Sequence, residues 1–279
     1  MTPLPEPVVS VVTINYNQGR FLGDAIADVA AQTHLSWQHI IVDPGSTDGS
    51  SELYKPLRSD PRYVVIERPD RGPADGLNKG FAAATGDIFY YLNADDRVLP
   101  HAFQSAVGLL APRLHQPLAI AAHGRVIAEG GALVRPVRTD ALTLRGYAFG
   151  ANVVVQQSTF LTREAFERAG GFNLENKVCW DGELLVDLLM NGGRFERTDD
   201  VWGLFRIYGG SITGSQQLAD VLTQENARLF EKIVGRPMRR RDHLEAGIRR
   251  GLKHASSPRL ALEAARLRIQ GLAIRELGH

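Results

Sequence analysis

The sequence predicts an α/β fold, a mostly parallel but mixed sheet flanked by helices with a helical C-terminal extension, and three features predict it. Apolar, β-branched runs of strand length alternate with stretches long enough for helices over roughly residues 8–100. Each of those runs ends in polar or acidic side chains. From Gln216 onward only helical spacing remains. Strands that alternate with helices pair in parallel under cover on both faces, and ligands then bind beyond their carboxyl ends.

Residues 8–14 form the first β-branched run, and after a polar break at 15–19 comes a helix with Leu22, Ala25, Ile26 and Val29 on one face. Residues 39–43, 63–67 and 88–92 supply three more strands, with helices around 49–57 and 73–84. Residues 119–126 and 132–137 flank a hairpin-like turn at Glu129, Gly130 and Gly131, which makes the sheet mixed. Residues 152–160 read as a further strand, 163–169 as a short helix closed by Gly170 and Gly171, 180–189 as a helix with an acidic start, and 201–205 as a strand. Two helices follow, one carrying Leu218, Val221, Leu222, Ala227, Leu229 and Phe230, the other Leu260, Leu262, Ala265, Leu267 and Ile269.

With 279 residues, 44% of them hydrophobic and 23% charged, the chain has material for one large core plus an appendage. A net charge of +1 gives no case for a nucleic-acid partner. The lone Cys179 allows no internal disulfide and fits a reducing, cytoplasmic compartment. No run of eighteen apolar residues exists, and the N-terminus lacks a basic region followed by an apolar one, so neither a membrane span nor a secretory signal is expected. Charge is nevertheless uneven: residues 236–275 hold eleven Lys or Arg against Asp242, Glu245 and Glu263. That stretch reads as a solvated face, an oligomer-forming surface, or a peripheral contact with anionic lipid at the inner face of a membrane.

The strand ends gather the candidate chemistry. Thr13 and Asn15 close the first run, Asp43 the second, Glu67 and Asp70 the third, and Asn93, Asp95 and Asp96 the fourth. Adjacent carboxylates repel unless a cation, a proton or a hydrogen-bond donor offsets them, and a divalent cation (Mn2+ or Mg2+) bridging a diphosphate suits Asp95 and Asp96; a plain polar turn is the competing reading. Asp43 closes an apolar run and can accept from a ring N–H or a ribose hydroxyl, or simply cap its strand. Arg71 and Lys79 flank a helix start that can meet phosphate, although Asp75 and Lys79 also stand at the spacing of an i,i+4 surface pair. In the later half, Gln157 precedes a helix, and Trp180, Asp181 and Glu183 open another whose dipole favours acids in any case. Trp180 offers a flat apolar face on which a ring could stack or belongs to the core. Arg206 and Tyr208 precede Gly209 and Gly210, a lid hinge or an ordinary turn. No Gly-x-Ser-x-Gly elbow, P-loop or Cys/His cluster is present.

Three segments, VVSVVTINYNQGRFLGDAIADVAAQT, WQHIIVDPGSTDGS and RPDRGPADGLNKGFAAATGDIFYYLNADD, together resemble in order and spacing the N-terminal half of an inverting glycosyltransferase of family 2 with the GT-A fold. Weaker signals extend to about residue 213, among them Gly170, Gly171 and Phe172. The resemblance implies a UDP- or dTDP-sugar donor, with Thr13, Asn15 and Asp43 near the nucleoside. It places Asn93, Asp95 and Asp96 near ribose, diphosphate and metal. It implies Asp181 as the general base, Glu183 as its alternate or an acceptor-binding group, Gln157 and Trp180 on the acceptor side, and Arg206 and Tyr208 at the phosphates or a lid. Relatives often carry Asp where this chain has Asn93 and His where it has Tyr208, so metal use rests on the two carboxylates. Residues 1–115 are then a nucleotide-sugar-binding half, 116–214 an acceptor-binding and catalytic half of the same domain, and 215–279 a basic helical extension. The implied reaction moves a hexosyl or deoxyhexosyl group to a saccharide, glycolipid or other hydroxyl acceptor in polysaccharide or glycoconjugate synthesis. The alternative from another class is a catalytically impaired nucleotide-sugar-binding scaffold.

Overall fold

The computed structural model describes residues 6–209 and 218–255. Strand β1 (Val9–Ile14) lies centrally, paired in parallel with β2 (Trp37–Asp43) on one side and β4 (Ile88–Tyr91) on the other, and β3 (Tyr63–Glu67) extends the parallel half beyond β2. The sheet then changes sense: β8 (Thr159–Thr162) runs antiparallel to β4 and to β6 (Leu118–Ala128), while β9 (Arg194–Ile207) runs parallel to β6. Short β5 (Arg97–Val98) borders β9, and β7 (Leu133–Val137) folds back on β6 through the turn at Glu129, so nine strands from both halves of the chain form one mixed sheet.

Helices α1 (Gly19–Ala30), α2 (Ser51–Tyr54), α3 (Pro73–Ala82) and α4 (Ala102–Leu110) follow β1, β2, β3 and β5, and α5 (Leu144–Ala148), α6 (Arg163–Ala169) and α7 (Trp180–Met190) belong to the later half. Strand period 2 sorts neighbours to opposite faces. Val11 and Tyr90 join Leu22, Phe103, Phe160 and Trp202 in one core, whereas Val12 and Tyr91 join Phe81, Phe172, Trp180 and Leu188 in the other. Fully enclosed side chains such as Leu22, Ile40, Leu77 and Leu188 each contribute ~1.5–3 kcal/mol.

Residues 152–160 do not form the expected strand. Gln156–Ser158 make a 3₁₀ turn and only Thr159–Thr162 pair in the sheet. The turn lets the Gln156 amide donate to the Tyr91 carbonyl at 2.9 Å and the Gln157 amide reach the acidic rim, bonds that an extended chain would point elsewhere. The two C-terminal helices described are α8 (Ala219–Val234) and α9 (Arg240–Ala255), which join Phe230 and Ala246 to Phe149 in a small third core. The predicted helix around Leu260–Ile269 and the hinge position Gly210 lie outside the described residues.

α3 lies close against the sheet because Gly80 has no side chain. A Cβ there would stand 2.3 Å from Val12 Cγ1 and 3.2 Å from Val42 Cγ2. Gly80→Ala therefore forces α3 away from β1 and is expected to cost about 1–3 kcal/mol, read as a lower urea midpoint at unchanged slope. An unchanged midpoint would show that the helix does not depend on this contact.

Candidate active site

Because β1 to β4 are parallel, their carboxyl ends open on one rim. Asp43 ends β2 with both oxygens engaged: Oδ1 accepts from the Gly45 and Ser46 N–H groups at 2.9 and 2.7 Å, and Oδ2 from Asn15 Nδ2 at 2.7 Å. Ser46 Oγ in turn accepts from the Asn17 N–H at 2.9 Å. Asn17 sits in the left-handed region at φ 53°, a conformation Asn tolerates, and Tyr16 beside it is 63% exposed. Sequence reasoning passed over Tyr16; an aromatic between two Asn residues at a strand exit was the available signal. Thr13, expected near the nucleoside, lies inside the sheet, fully buried, with its hydroxyl 2.9 Å from His39 Nε2. Burial holds His39 down at about 3, so this partner is a neutral imidazole.

At the next exit, Lys79 Nζ donates to Asp75 Oδ2 at 2.9 Å and to the Pro69 carbonyl at 2.7 Å, so the surface-pair reading of that spacing holds. Arg71 keeps a 68%-exposed guanidinium at the N-terminus of α3.

The acidic turn after β4 is tied into the rest of the rim. Asp96 is 1% exposed: Oδ2 accepts from Gln157 Nε2 at 2.8 Å and Asn93 Nδ2 at 3.2 Å, and Oδ1 from the Arg206 N–H at 3.0 Å. Burial, then the charge of Asp95, raises its carboxyl above the ordinary range. Asp96 is therefore enclosed, and the expected metal-ligand role does not fit it. Gln157, expected on the acceptor side, is spent on holding Asp96. Arg206 is likewise buried, its guanidinium donating to the Asp95 carbonyl at 2.8 Å, to Asp24 at 2.9 Å and to the Glu129 carbonyl, so the side chain is spent inside the fold and is not presented to a phosphate at the rim. Asp95 is only half-buried; its Oδ2 accepts from the Tyr208 hydroxyl at 2.9 Å, with Gln18 Oε1 3.2 Å from the same hydroxyl. Burial, then the Asp95 charge, pushes that phenol up to about 12.

Among the described residues no three His, Cys, Asp or Glu side chains converge as a metal cage. A divalent cation that also takes diphosphate oxygens needs only one or two carboxylates, and Asp95 fits that lesser requirement.

Across the rim, α7 brings Asp181 beside Tyr91, the last residue of β4. Asp181 is half-buried, accepts only from backbone N–H groups of its own turn, and forms no ion pair among the described residues; burial raises its carboxyl above the ordinary range. The Tyr147 hydroxyl lies against Gly182, where a Cβ would come within 2.2 Å of it, and makes no hydrogen bond among the described residues. No sequence motif marks Tyr147; it reaches Asp181 only through the packing of α5 on α7.

Two expectations for this helix are corrected. Trp180 is 8% exposed and packs edge-on against Phe172 at 5.5 Å, so it is core and not a sugar platform. Glu183 is fully buried and carries no free oxygen: Arg228, Lys232, Asn173 and Asn176 all donate to it. Burial opposes its charge, but the bonds from Arg228, Lys232, Asn176 and Asn173 outweigh that and hold it at about 2. It anchors α8 to α7 and is unavailable as a base.

Comparison with known proteins bears on the family and the fold. The model of the family described as glycosyl transferase family 2 matches residues 10–159, more than half of the chain. An uncharacterised glycosyltransferase of Nostoc sp. is 41% identical over 101 residues, 36% of this chain and 31% of the relative, so the match spans about a third of that protein's length. Among solved structures, S. aureus TarS 1-349 in complex with UDP-GlcNAc superposes with a TM-score of 0.63 at 17% identity, covering 89% of this chain and 73% of that one. The mannosyltransferase PcManGT from Pyrobaculum calidifontis, in complex with GDP-Man and Mn2+, gives 0.63 at 18% identity, covering 96% and 80%. At those identities the likeness establishes the fold, which is of the GT-A type.

A carboxyl held below its ordinary value stabilises the fold above that value and ceases to do so as pH falls through the lowered one. Glu183 should thus give the protein about 2 kcal/mol that disappears between pH ~4.5 and ~2, a figure discounted because Arg228 and Lys232 are partly exposed. Denaturant titrations across that window should show the loss in the native protein and little slope in Glu183→Gln, which should start ~2–3 kcal/mol less stable at neutral pH. Parallel curves for the two proteins would remove the anchoring role.

Proposed function

The chain belongs to glycosyl transferase family 2, and from that premise we propose that it transfers a sugar, with inversion, from a nucleoside diphosphate donor to an acceptor hydroxyl. The observation that carries this reading is the state of Asp181: unlike Asp43, Asp95 and Asp96 it is free of any cation or side-chain donor among the described residues, it stands across the rim on α7, and its raised affinity for protons suits a general base. Its carboxylate takes the proton from the acceptor hydroxyl as that oxygen attacks the anomeric carbon, while the bond to the diphosphate breaks on the opposite face. One displacement inverts the centre and needs no covalent intermediate. Tyr147, with an unengaged hydroxyl beside Asp181, is suited to orient the acceptor.

On the donor side, Asn15 and Asp43 shape the wall of the nucleoside site, and the exposed ring of Tyr16 offers a face for the base. Arg71 and the N-terminus of α3 supply positive charge for the diphosphate. A divalent cation, held by Asp95 and the diphosphate itself, would neutralise charge on the leaving group. UDP- and dTDP-sugars are the donor class carried forward, hexosyl or deoxyhexosyl the transferred group, and the hydroxyl of a saccharide or glycolipid the acceptor.

Asp181→Asn should lower turnover by roughly 10²–10⁴-fold while calorimetry with a panel of UDP-, dTDP- and GDP-sugars, with and without Mn2+, shows unchanged donor affinity. In the native enzyme the rate should fall on the acid side, because the base must be ionised, and that limb should lie above the ordinary carboxylate range. Full turnover in Asp181→Asn would exclude it as the base. Donor binding without transfer to any hydroxyl acceptor would favour a nucleotide-sugar-binding scaffold.

A further inference from the structure

The outer face of α9 has no part in that chemistry. Its inner face is occupied: Ala246 packs with Phe149 and Phe230, Arg236 holds Asp242 at 2.6 and 2.8 Å, and Arg145 and Arg249 hold Glu245 at 2.7 and 2.8 Å. Both acids of the helix are thereby turned inward. On the opposite side Leu244 and Ile248 stand one turn apart, 68% and 53% exposed, the i,i+4 spacing that aligns them in one stripe. Arg239, Arg240 and Arg241, at the start of the helix, are exposed and form no ion pair among the described residues. Gly247 and Gly251 fall on the same side and put no side chain in the way.

Exposed aliphatic side chains flanked by unpaired guanidinium groups match the two things a bilayer surface offers, an apolar layer and a plane of phosphates. A protein partner would look for pockets and matched acids, and this helix face is convex and bare between its two aliphatic side chains. The sequence beyond it, residues 256–279, adds Arg259, Arg266, Arg268 and Arg275 against Glu263 and Glu276, so the charge of the whole region has the sign that anionic lipid attracts. We propose that the outer face of α9 docks this protein on an anionic phospholipid surface, with Leu244 and Ile248 entering the headgroup layer and Arg239, Arg240 and Arg241 meeting lipid phosphates. The docking does not depend on the transfer chemistry, since none of these residues touches the rim.

Sedimentation of the full chain with vesicles tests it. The protein should pellet at low salt with phosphatidylcholine vesicles containing phosphatidylglycerol, stay in solution with phosphatidylcholine alone, and be released by salt. Replacing all three arginines (Arg239→Gln, Arg240→Gln, Arg241→Gln) should weaken partitioning by about fivefold per cation, roughly 100-fold together. Leu244→Ser with Ile248→Ser should weaken it by roughly tenfold while keeping the salt dependence. Donor affinity measured by calorimetry should be the same in both variants, which certifies their fold. Absence of pelleting with phosphatidylglycerol vesicles would overturn the proposal, as would binding that neither variant weakens. So would variants whose one effect is loss of self-association without lipid, which would make this face a contact between copies.

Discussion

A carboxylate that folding removes from water must be met by donors, and Asp96 is met by donors from three parts of the chain. Gln157 reaches it from the turn before β8, the Arg206 N–H from β9, and Asn93 from its own turn. Asp96 follows β4 in the parallel half of the sheet, whereas Gln157 and Arg206 come from the mixed half, so this one group joins the two at the rim. Leaving any of those donors without its partner costs about 1–3 kcal/mol in a buried setting. The Arg206 side chain extends the same junction by donating to the Asp95 carbonyl, Asp24 and the Glu129 carbonyl. What this arrangement fixes is the position of Asp95, the neighbour left half-open.

The rim can be understood as a sorting of carboxylates by what already occupies them. Asp43 is filled by two backbone N–H groups and Asn15, Asp96 by three donors, and Glu183 by four side chains. Their work is structural: shaping a loop, joining two halves, anchoring a helix. Asp95 and Asp181 retain capacity, and they are the two that a donor's leaving group and an acceptor's proton would each require. Tyr208 modifies the first of them. A phenol is a poor ligand for a hard cation, but its hydroxyl lends Asp95 a hydrogen bond that a charged ligand would not need to displace in order to use the other oxygen.

Much of this was legible in the chain, and the part that was not has a common cause. The alternation of strand and helix, the polar exits and the acidic helix start are local patterns, and residues 63–67 and 163–169 emerge with the bounds the sequence suggests. What periodicity does not reveal is the direction in which a polar side chain is spent. Thr13, Gln157, Arg206, Trp180 and Glu183 all lie near the rim in sequence terms, yet each faces a partner supplied by a distant segment: His39, Asp96, Asp95 and Asp24, Tyr91, Arg228 and Lys232. The strand expected over residues 152–160 fails for the same reason, since two glutamine amides draw the backbone into a turn. Tyr16 and Tyr147 were overlooked in the opposite sense, being ordinary residues until the fold leaves their polar or aromatic surface without a partner.

The C-terminal helices follow from the burial of Glu183. Its position one turn into α7 is fixed by the packing of Leu184, Leu185 and Leu188 against the sheet, so the carboxylate has no route back to water. An unpaired buried charge costs several kcal/mol, and among the described residues outside α8 its side-chain donors are the neutral amides of Asn173 and Asn176, in the loop before α7. Arg228 and Lys232, at i,i+4 on α8, provide the missing positive charge, and Lys232 also holds Asp187 one turn further along α7. The helix that carries Asp181 is thus clamped from outside the sheet by a segment that looks like an appendage. With α8 committed to that clamp and the inner face of α9 committed to Phe149 and Phe230, charge left over on the tail has only the outer surface on which to lie, and that is where Arg239, Arg240 and Arg241 are found.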